Sequence, residues 1–334
     1  PYGVSYNSYL IDDEMVALVD TVDICYFEVY LRKIKQVIGE RPINYLIINH
    51  MEPDHSGSIR LIKQHYPEII IVGNKQTFGM IEGFYGVTGE QYLVKEGDFL
   101  ALGHHKLRFY MTPMVHWPET MMTFDETDGV LFSGDGFGCF GTVDGGFLDT
   151  RINVDKYWGE MVRYYSNIVG KYGSPVQKAL QKLGGLPISA ICSTHGPVWT
   201  ENIAKVIGIY DRLSRYDADE GVVIAYGSMY GNTEQMAEAI AEELSAQGVK
   251  NIVMHNVTKS HPSYIIADIF RYKGLIIGSP TYSNQIFPEV EALLSKILLR
   301  EVKGRYLGYF GSFTWAGAAV KLSLIHISEP TRLR

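Results

Sequence analysis

Cysteine is scarce in this 334-residue chain: Cys25, Cys139 and Cys192 lie far apart and never form a C-x-x-C pair. That excludes a disulfide framework, a zinc knuckle or a rubredoxin-type iron site built from these residues, and it favours a reducing, cytoplasmic setting. Long apolar runs are missing too. No stretch approaches the ~20 residues needed to cross a bilayer, so a soluble protein with no membrane part is expected. Positive charge is in deficit, with 30 Lys and Arg against 37 Asp and Glu and a net charge of -7. A nucleic-acid partner would call for the opposite balance, a basic face to match phosphates. Pro1-Tyr2-Gly3 offers neither an initiating Met nor a charged-then-apolar signal pattern, and the chain is read as clipped at its start.

What the chain has is enough apolar material for more than one core. Its length corresponds to two domains at ~100–200 residues each, and 46% of its residues are hydrophobic. Over residues 1–216 short apolar runs read as strands: Ser8 to Ile11, Met15 to Val19, Ile43 to Ile48, Ile69 to Val72, Lys106 to Met111, Met121 to Phe124, Val130 to Ser133 and Ile188 to Ser193. Asp12-Asp13-Glu14 and Asp125 to Gly129 supply hairpin turns, and the whole suggests layered sheets covered by helices. The polar segment Arg215 to Gly221 marks a boundary. Beyond it the chain turns to regular strand-helix alternation: strands Val222 to Tyr226, Ile252 to Val257, Leu275 to Gly278 and Tyr306 to Phe310, helices Thr233 to Gln247, Pro262 to Phe270 and Pro288 to Leu299. This pattern implies a doubly wound parallel sheet over residues 217–321.

The densest chemistry is His50-Met51-Glu52-Pro53-Asp54-His55, four candidate metal ligands within six residues, directly after an apolar strand. Three more post-strand loops each add one donor: His116, Asp135 and His195. A lone loop histidine is usually a surface or hydrogen-bonded residue, but this set placed at strand ends points jointly to a metal centre. The carboxylates of Glu52, Asp54 and Asp135 make the set harder and more anionic than a His-rich zinc pair, which suits iron as its charge rises on oxidation. Glu52 is the residue that separates the two readings, because zinc has no redox chemistry.

A second, independent signal lies in the later region. Gly227-Ser228-Met229-Tyr230-Gly231-Asn232-Thr233 follows a strand and opens a helix, placing hydroxyls and free N–H groups at a positive helix terminus suited to phosphate. The alternative reading is an ordinary N-cap by Asn232 or Thr233. The loop lacks the Lys of a nucleoside-triphosphate P-loop. Gly278-Ser279-Pro280-Thr281-Tyr282-Ser283-Asn284 and Gly311-Ser312-Phe313-Thr314-Trp315-Ala316-Gly317 follow the next strands at the carboxyl edge, where such sheets bind ligands.

The pattern H-x-E-x-D-H, with His116 66 residues after His50, Asp135 19 further and His195 60 further, resembles the flavodiiron proteins, or A-type flavoproteins. The resemblance implies an α/β chain with a metallo-β-lactamase-like αββα sandwich holding two irons, followed by a flavodoxin-like sheet holding FMN. Matched position by position, His50, Glu52 and His116 bind one iron, Asp54 and His195 the other, and Asp135 bridges both. His55 is left open, as a ligand or as a residue turned away. The first Gly-rich loop (Ser228 to Thr233) is implied to hold the FMN phosphate. Pro280, Thr281, Tyr282 and Asn284, with Ser312, Thr314 and Trp315, would hold its ring, Trp315 stacking on it. The implied activity is reduction of O2 to water or NO to N2O, with rubredoxin or a flavoprotein reductase as donor and a head-to-tail homodimer or dimer of dimers as the assembly. A zinc hydrolase carrying a flavodoxin module and a non-catalytic electron carrier are the rival readings. Tyr164 and Tyr165 are candidates to line a gas pocket, with core packing the alternative.

Leu322 to Arg334 does not read as a continuation of the helix begun by Ala316 to Lys321, and it resembles the translation of a sequencing-library adapter. The flavodoxin-like domain is therefore expected to be incomplete at its C-terminus, with its fourth strand an uncovered edge. On that reading the protein binds FMN weakly or aggregates; purification with added FMN that yields soluble, stoichiometrically loaded chain would contradict it.

Overall fold

The computed structural model describes residues 3–328. The chain forms two compact units, one from Pro1–Met161 with Ser174–Asp211, the other from Val162–Gly173 with Arg212–Arg334.

The first unit holds two five-stranded sheets. In one, β1 (Tyr9–Ile11) runs antiparallel to β2 (Ala17–Val19), which continues in parallel register through β3 (Tyr45–Ile47), β4 (Ile70–Gly73) and β5 (Gln91–Leu93). The other is antiparallel through β6 (Phe99–Ala101), β7 (Lys106–Met111), β8 (Met121–Asp125) and β9 (Val130–Gly134), and closes with β10 (Ala190–Ser193) parallel to β9. Side-chain alternation splits each inner strand between two cores. Ala17, Val19, Ile47 and Val72 meet Leu100, Leu107, Phe109, Met121 and Phe132 between the sheets. Leu18, Leu46, Ile48 and Ile71 point the other way, against the helices. The helix Phe27–Ile38 shows why: Phe27, Tyr30, Leu31, Ile34 and Ile38 recur at helical spacing on its buried face, and Gly39 ends it at φ 63°. The helix-sheet-sheet-helix layering expected of this region is the result.

Two strands escape the sequence pattern. β5 and β6 are three residues each, β5 wholly exposed and β6 burying only Leu100, so neither is long enough to show the alternation that marks a half-buried strand in sequence.

The second unit is a parallel sheet in the order β12-β11-β13-β15, formed by β11 (Asp219–Tyr226), β12 (Ile252–Asn256), β13 (Tyr272–Tyr282) and β15 (Tyr306–Ser312). A short antiparallel β14 (Gln285–Ile286) pairs with the tip of β13. The segment read as a domain boundary is structured: Asp217 N–H donates to the Arg212 carbonyl at 3.1 Å, Arg212 pairs with Asp219 at 2.8 Å, and β11 already begins at Asp219. The helix at the end also runs on past Lys321, spanning Ala319–Ser328. Leu322, Leu324 and Ile325 are competent helix residues, and the buried Ser323 turns its hydroxyl back onto the Ala319 carbonyl at 2.9 Å. The remainder of the adapter-like segment, residues 329–334, lies outside the described residues. Tyr164 and Tyr165 are buried in the core of this unit, Tyr165 packing edge-on to Phe270 at 6.3 Å. An aromatic-rich helix is equally what a core needs.

One buried amide ties the two sheets of the first unit together. Asn49 donates from its side chain to the Phe132 carbonyl at 3.3 Å, accepts from the Thr123 hydroxyl at 2.8 Å, and its own carbonyl accepts from Met121 N–H at 3.0 Å. Replacing Asn49 by Ala leaves the Thr123 hydroxyl and Phe132 carbonyl unpaired in a dry core. The expected cost is about 1–3 kcal/mol of unfolding free energy, measurable by urea denaturation of the metal-free protein against wild type.

Candidate metal centre and flavin edge

Every candidate metal ligand sits just past the end of a strand in the first unit. His50 follows β3, His116 lies in the turn after β7, Asp135 follows β9 and His195 follows β10. The first loop turns sharply because Pro53 opens a one-turn helix, Pro53–Ser56, which brings Asp54 and His55 back toward His50.

Seven side chains converge into two adjoining clusters. In the first, His116 Nε2 lies 3.0 Å from both Glu52 Oε2 and Asp135 Oδ2, and His50 Nε2 lies 3.5 and 3.6 Å from the same two oxygens. In the second, His55 Nε2 lies 2.9 Å from Asp135 Oδ1, 3.3 Å from Asp54 Oδ2 and 3.1 Å from His195 Nε2. Asp135 thus presents one oxygen to each cluster. The other half of the His55 question is answered geometrically: its ring faces inward and is fully buried.

The donor set was tested against a metal pair on two grounds. Ligand atoms around a metal at about 2.1 Å lie roughly 3.0–3.4 Å apart, the edge of an octahedron or tetrahedron, and the observed separations of 2.9–3.6 Å match. In addition, His50 Nε2 is buried and has no hydrogen-bond partner among the described residues, an orphan that a metal would satisfy. The residues fit.

Electrostatics point the same way. Burial alone would raise the Asp135 carboxyl, but His55, His50 and His116 around it hold it well below the usual carboxylate range. Burial likewise works against Glu52, yet His116 and His50 bring it down to about 2. Burial opposes a charged His50, and Asp135, Glu119 and Glu52 override it and push its pKa up to about 10. The cluster is built to hold positive charge. Glu52 and Asp54 are its exposed members, with side chains 37% and 24% accessible against 0% for His50 and His55, so they form the mouth. Trp117 packs edge-on to His50 at 5.3 Å and Tyr6 to His195 at 5.8 Å, as aromatic walls.

A supporting shell holds these ligands, and sequence reading missed it. Glu119 Oε1 accepts from His50 Nδ1 and Met51 N–H, both at 2.9 Å. Thr194 donates its hydroxyl to Asp135 Oδ1 at 2.7 Å, and His195 Nδ1 donates to the Ser5 carbonyl at 2.7 Å. Asp20 accepts from the backbone of Asn49 at 2.8 Å and His50 at 3.3 Å; burial pushes its carboxyl up to about 6 against the pull of His55 and those amides. Glu119 had a local signal, a carboxylate three residues after His116. Ser5 had none, since it acts through its carbonyl. A third grouping, His105 with Asp125 and Asp128, is a turn fastening: His105 bonds Asp125 at 2.8 Å, and Asp125 accepts from Thr127 N–H at 3.0 Å.

In the second unit the three Gly-rich segments follow the adjacent strands β11, β13 and β15. The helix Asn232–Ala246 starts at Gly231, held at φ 88°, with no side-chain cap, so the Asn232 or Thr233 capping alternative does not occur. Gly231 N–H donates to the Ser228 hydroxyl at 3.2 Å, and Thr233 bonds Ser312 through their hydroxyls at 2.9 Å, joining the first and third segments. The second segment is a hairpin where a plain loop was expected. Pro280, Thr281 and Tyr282 extend β13, and Ser283 and Asn284 turn at φ 48° and 61°, the left-handed pair of a tight hairpin turn. Thr281 accepts from Ala319 N–H at 3.3 Å. Tyr230 and Trp315 are 86% and 81% exposed, and Met229, Tyr282 and Thr314 are exposed beside them, an apolar rim around a helix N-terminus.

The ODP family beta lactamase description matches residues 4–196, and the flavodoxin family matches residues 224–323. The anaerobic nitric oxide reductase flavorubredoxins of Vibrio vulnificus and Escherichia coli are 33% and 32% identical over 323 residues, 95% of this chain. The chain belongs to the flavodiiron protein family. It spans 65% and 67% of the length of those two relatives. Among solved structures, the rubredoxin oxygen:oxidoreductase of Desulfovibrio gigas superposes with a TM-score of 0.94 at 31% identity, covering 98% of this chain and 83% of that one. The flavodiiron protein of Giardia intestinalis gives 0.94 at 28% identity, with 98% and 80% covered. As a flavodiiron protein the chain carries a flavodoxin domain for FMN and a β-lactamase-like domain for a di-iron centre.

Because the cluster's carboxylates hold its histidines' protons where a metal would sit, metal uptake must displace them. Loading the metal-free protein with ferrous iron under argon at neutral pH is expected to release protons, and iron affinity to rise with pH through the neutral range. A pH-stat titration with chelator competition measures both.

Proposed function

We propose that this flavodiiron protein takes electrons from an external donor through FMN and delivers them to the di-iron centre, which reduces O2 to water, NO to N2O, or both. The observation that carries the reading is Glu52 beside His50, His116 and Asp135 in one chain with the flavin edge. Three carboxylates would balance a metal charge that rises on oxidation, and the flavodoxin domain is where a redox cofactor able to change it would sit. Bound there, the irons and the flavin supply the one-electron chemistry that either gas requires.

The chain's own residues do the rest. His50, Glu52 and His116 would hold one metal and Asp54, His55 and His195 the other, with Asp135 offering one oxygen to each cluster. Glu52 and Asp54, the most exposed members of the cluster, form the mouth that faces solvent. Trp117 and Tyr6 keep the opposite walls dry. At the flavin edge, Ser228 to Thr233 would receive the phosphate at the uncapped helix terminus. Pro280, Thr281, Tyr282 and Asn284 with Ser312, Thr314 and Trp315 would hold the ring. We assign the di-iron domain to residues 1–216 and the FMN domain to 217–321.

The name of the Desulfovibrio gigas relative supports rubredoxin as donor, with a flavoprotein reductase as the other donor proposed. We further propose a cytoplasmic head-to-tail homodimer or dimer of dimers, without nucleic-acid or membrane partners. Among the described residues no helix is long and apolar enough to cross a membrane.

The deciding experiment is gas consumption by iron-loaded protein, anaerobic until challenged, with chemically reduced donor and O2 or NO added in parallel. Uptake of either gas that requires both iron and FMN is expected. Glu52→Ala should lower it by roughly 10-fold or more, the scale for disturbing a metal ligand's shell. Bound zinc, hydrolysis of a thioester or lactam, and no uptake of either gas would establish the hydrolase instead.

A further inference from the structure

The histidines of the metal centre are not equivalent behind their inward-facing nitrogens. His50 Nδ1 meets a carboxylate, Glu119 Oε1, at 2.9 Å. His195 Nδ1 instead meets the neutral carbonyl of Ser5 at 2.7 Å, and His55 Nδ1 is buried with no hydrogen-bond partner among the described residues. Glu119 is itself fully buried, its Oε2 is without a partner among the described residues, and the other group on Oε1 is the neutral Met51 N–H. Its negative charge is therefore directed at the His50 ring and not shared with a cation elsewhere.

An imidazole that donates its distal N–H to a carboxylate is a more basic, more electron-rich ligand than one bonded to a carbonyl or to nothing. In a water-excluded site the added charge is weakly screened. We propose that Glu119 is a positioning residue that makes the two metal positions unequal. It locks the His50 tautomer, tightens the position formed by His50, Glu52 and His116, and stabilises the oxidised ion there relative to the position formed by Asp54, His55 and His195. The inference rests on the di-iron reading. Its functional consequence is an order: the His50 position fills first, and in the half-oxidised protein it carries the ferric ion.

Glu119→Gln keeps the shape and an acceptor oxygen but removes the charge. Chelator competition with ferrous iron should show one ion held 10–100-fold more weakly and the other unchanged. Potentiometry followed by Mössbauer spectroscopy should show one iron couple raised by 59 mV or more, a tenfold shift for one electron, with the other in place. Glu119→Asp, which retains the charge, should recover part of both. Glu119→Gln with two irons at wild-type affinities and potentials overturns the proposal. Should the Gln variant not fold, ligand variants carry the test: with one equivalent of iron, Glu52→Ala should lose the tight-binding phase and Asp54→Ala keep it, and the reverse order overturns it. Wild-type protein that takes up two irons but fills and oxidises both positions alike defeats this inference alone. Wild-type protein that binds no redox-active iron pair defeats the di-iron reading and this inference with it.

Discussion

One buried carboxylate, Asp135, sets the terms for the first unit. It is almost fully enclosed, it accepts from the Thr194 hydroxyl, and its two oxygens face histidines from three different loops. A carboxylate in that setting is costly unless positive charge is brought to it. The loops leaving β3, β7 and β10 supply that charge through His50 and His55, His116 and His195. Since those strands belong to two sheets, the site exists only if the sheets stay in register, and Asn49 and Met121 fasten them one residue from His50 and at the start of β8. The same arrangement that holds protons on these histidines would hold metal.

The flavin edge is organised by a different force. No buried charge is involved; a helix begins at a left-handed glycine without a side-chain cap, leaving donors for a phosphate, and aromatic side chains stand in solvent around it. The apolar rim is costly in water and makes sense as the surround of a planar ligand. One domain therefore attracts its cofactor by electrostatic need, the other by exposed backbone donors and uncovered apolar surface.

Much of this was legible from residues. The four-layer and doubly wound sheets follow from strands whose runs are apolar and bounded by turns, and the ligand set follows from compressed His and carboxylate spacing at strand ends. What was missed had weak or ambiguous local signals. β5 and β6 are too short and exposed to show alternation. Thr281 and Tyr282 read as loop because a hairpin turn of Ser283 and Asn284 looks like any polar segment. Tyr164 and Tyr165 look alike in sequence whether they line a pocket or pack a core, and their burial is seen only in the fold. Leu322 to Ile325 carry helix propensity that an unfamiliar sequence pattern concealed.

The amino-acid sequence by itself determined which side chains could hold metal and that their carboxylates favour a redox-active ion, because ligand chemistry belongs to residue type. It also determined that a phosphate seat opens the second sheet, because a Gly-rich turn before a helix is a local object. Only the tertiary structure decided that His55 faces the second metal position, that Asp135 divides its oxygens between two positions, and that Glu119 stands behind His50. Each of those depends on atoms brought within about 3 Å from strands far apart in the chain, and no local pattern encodes such a distance.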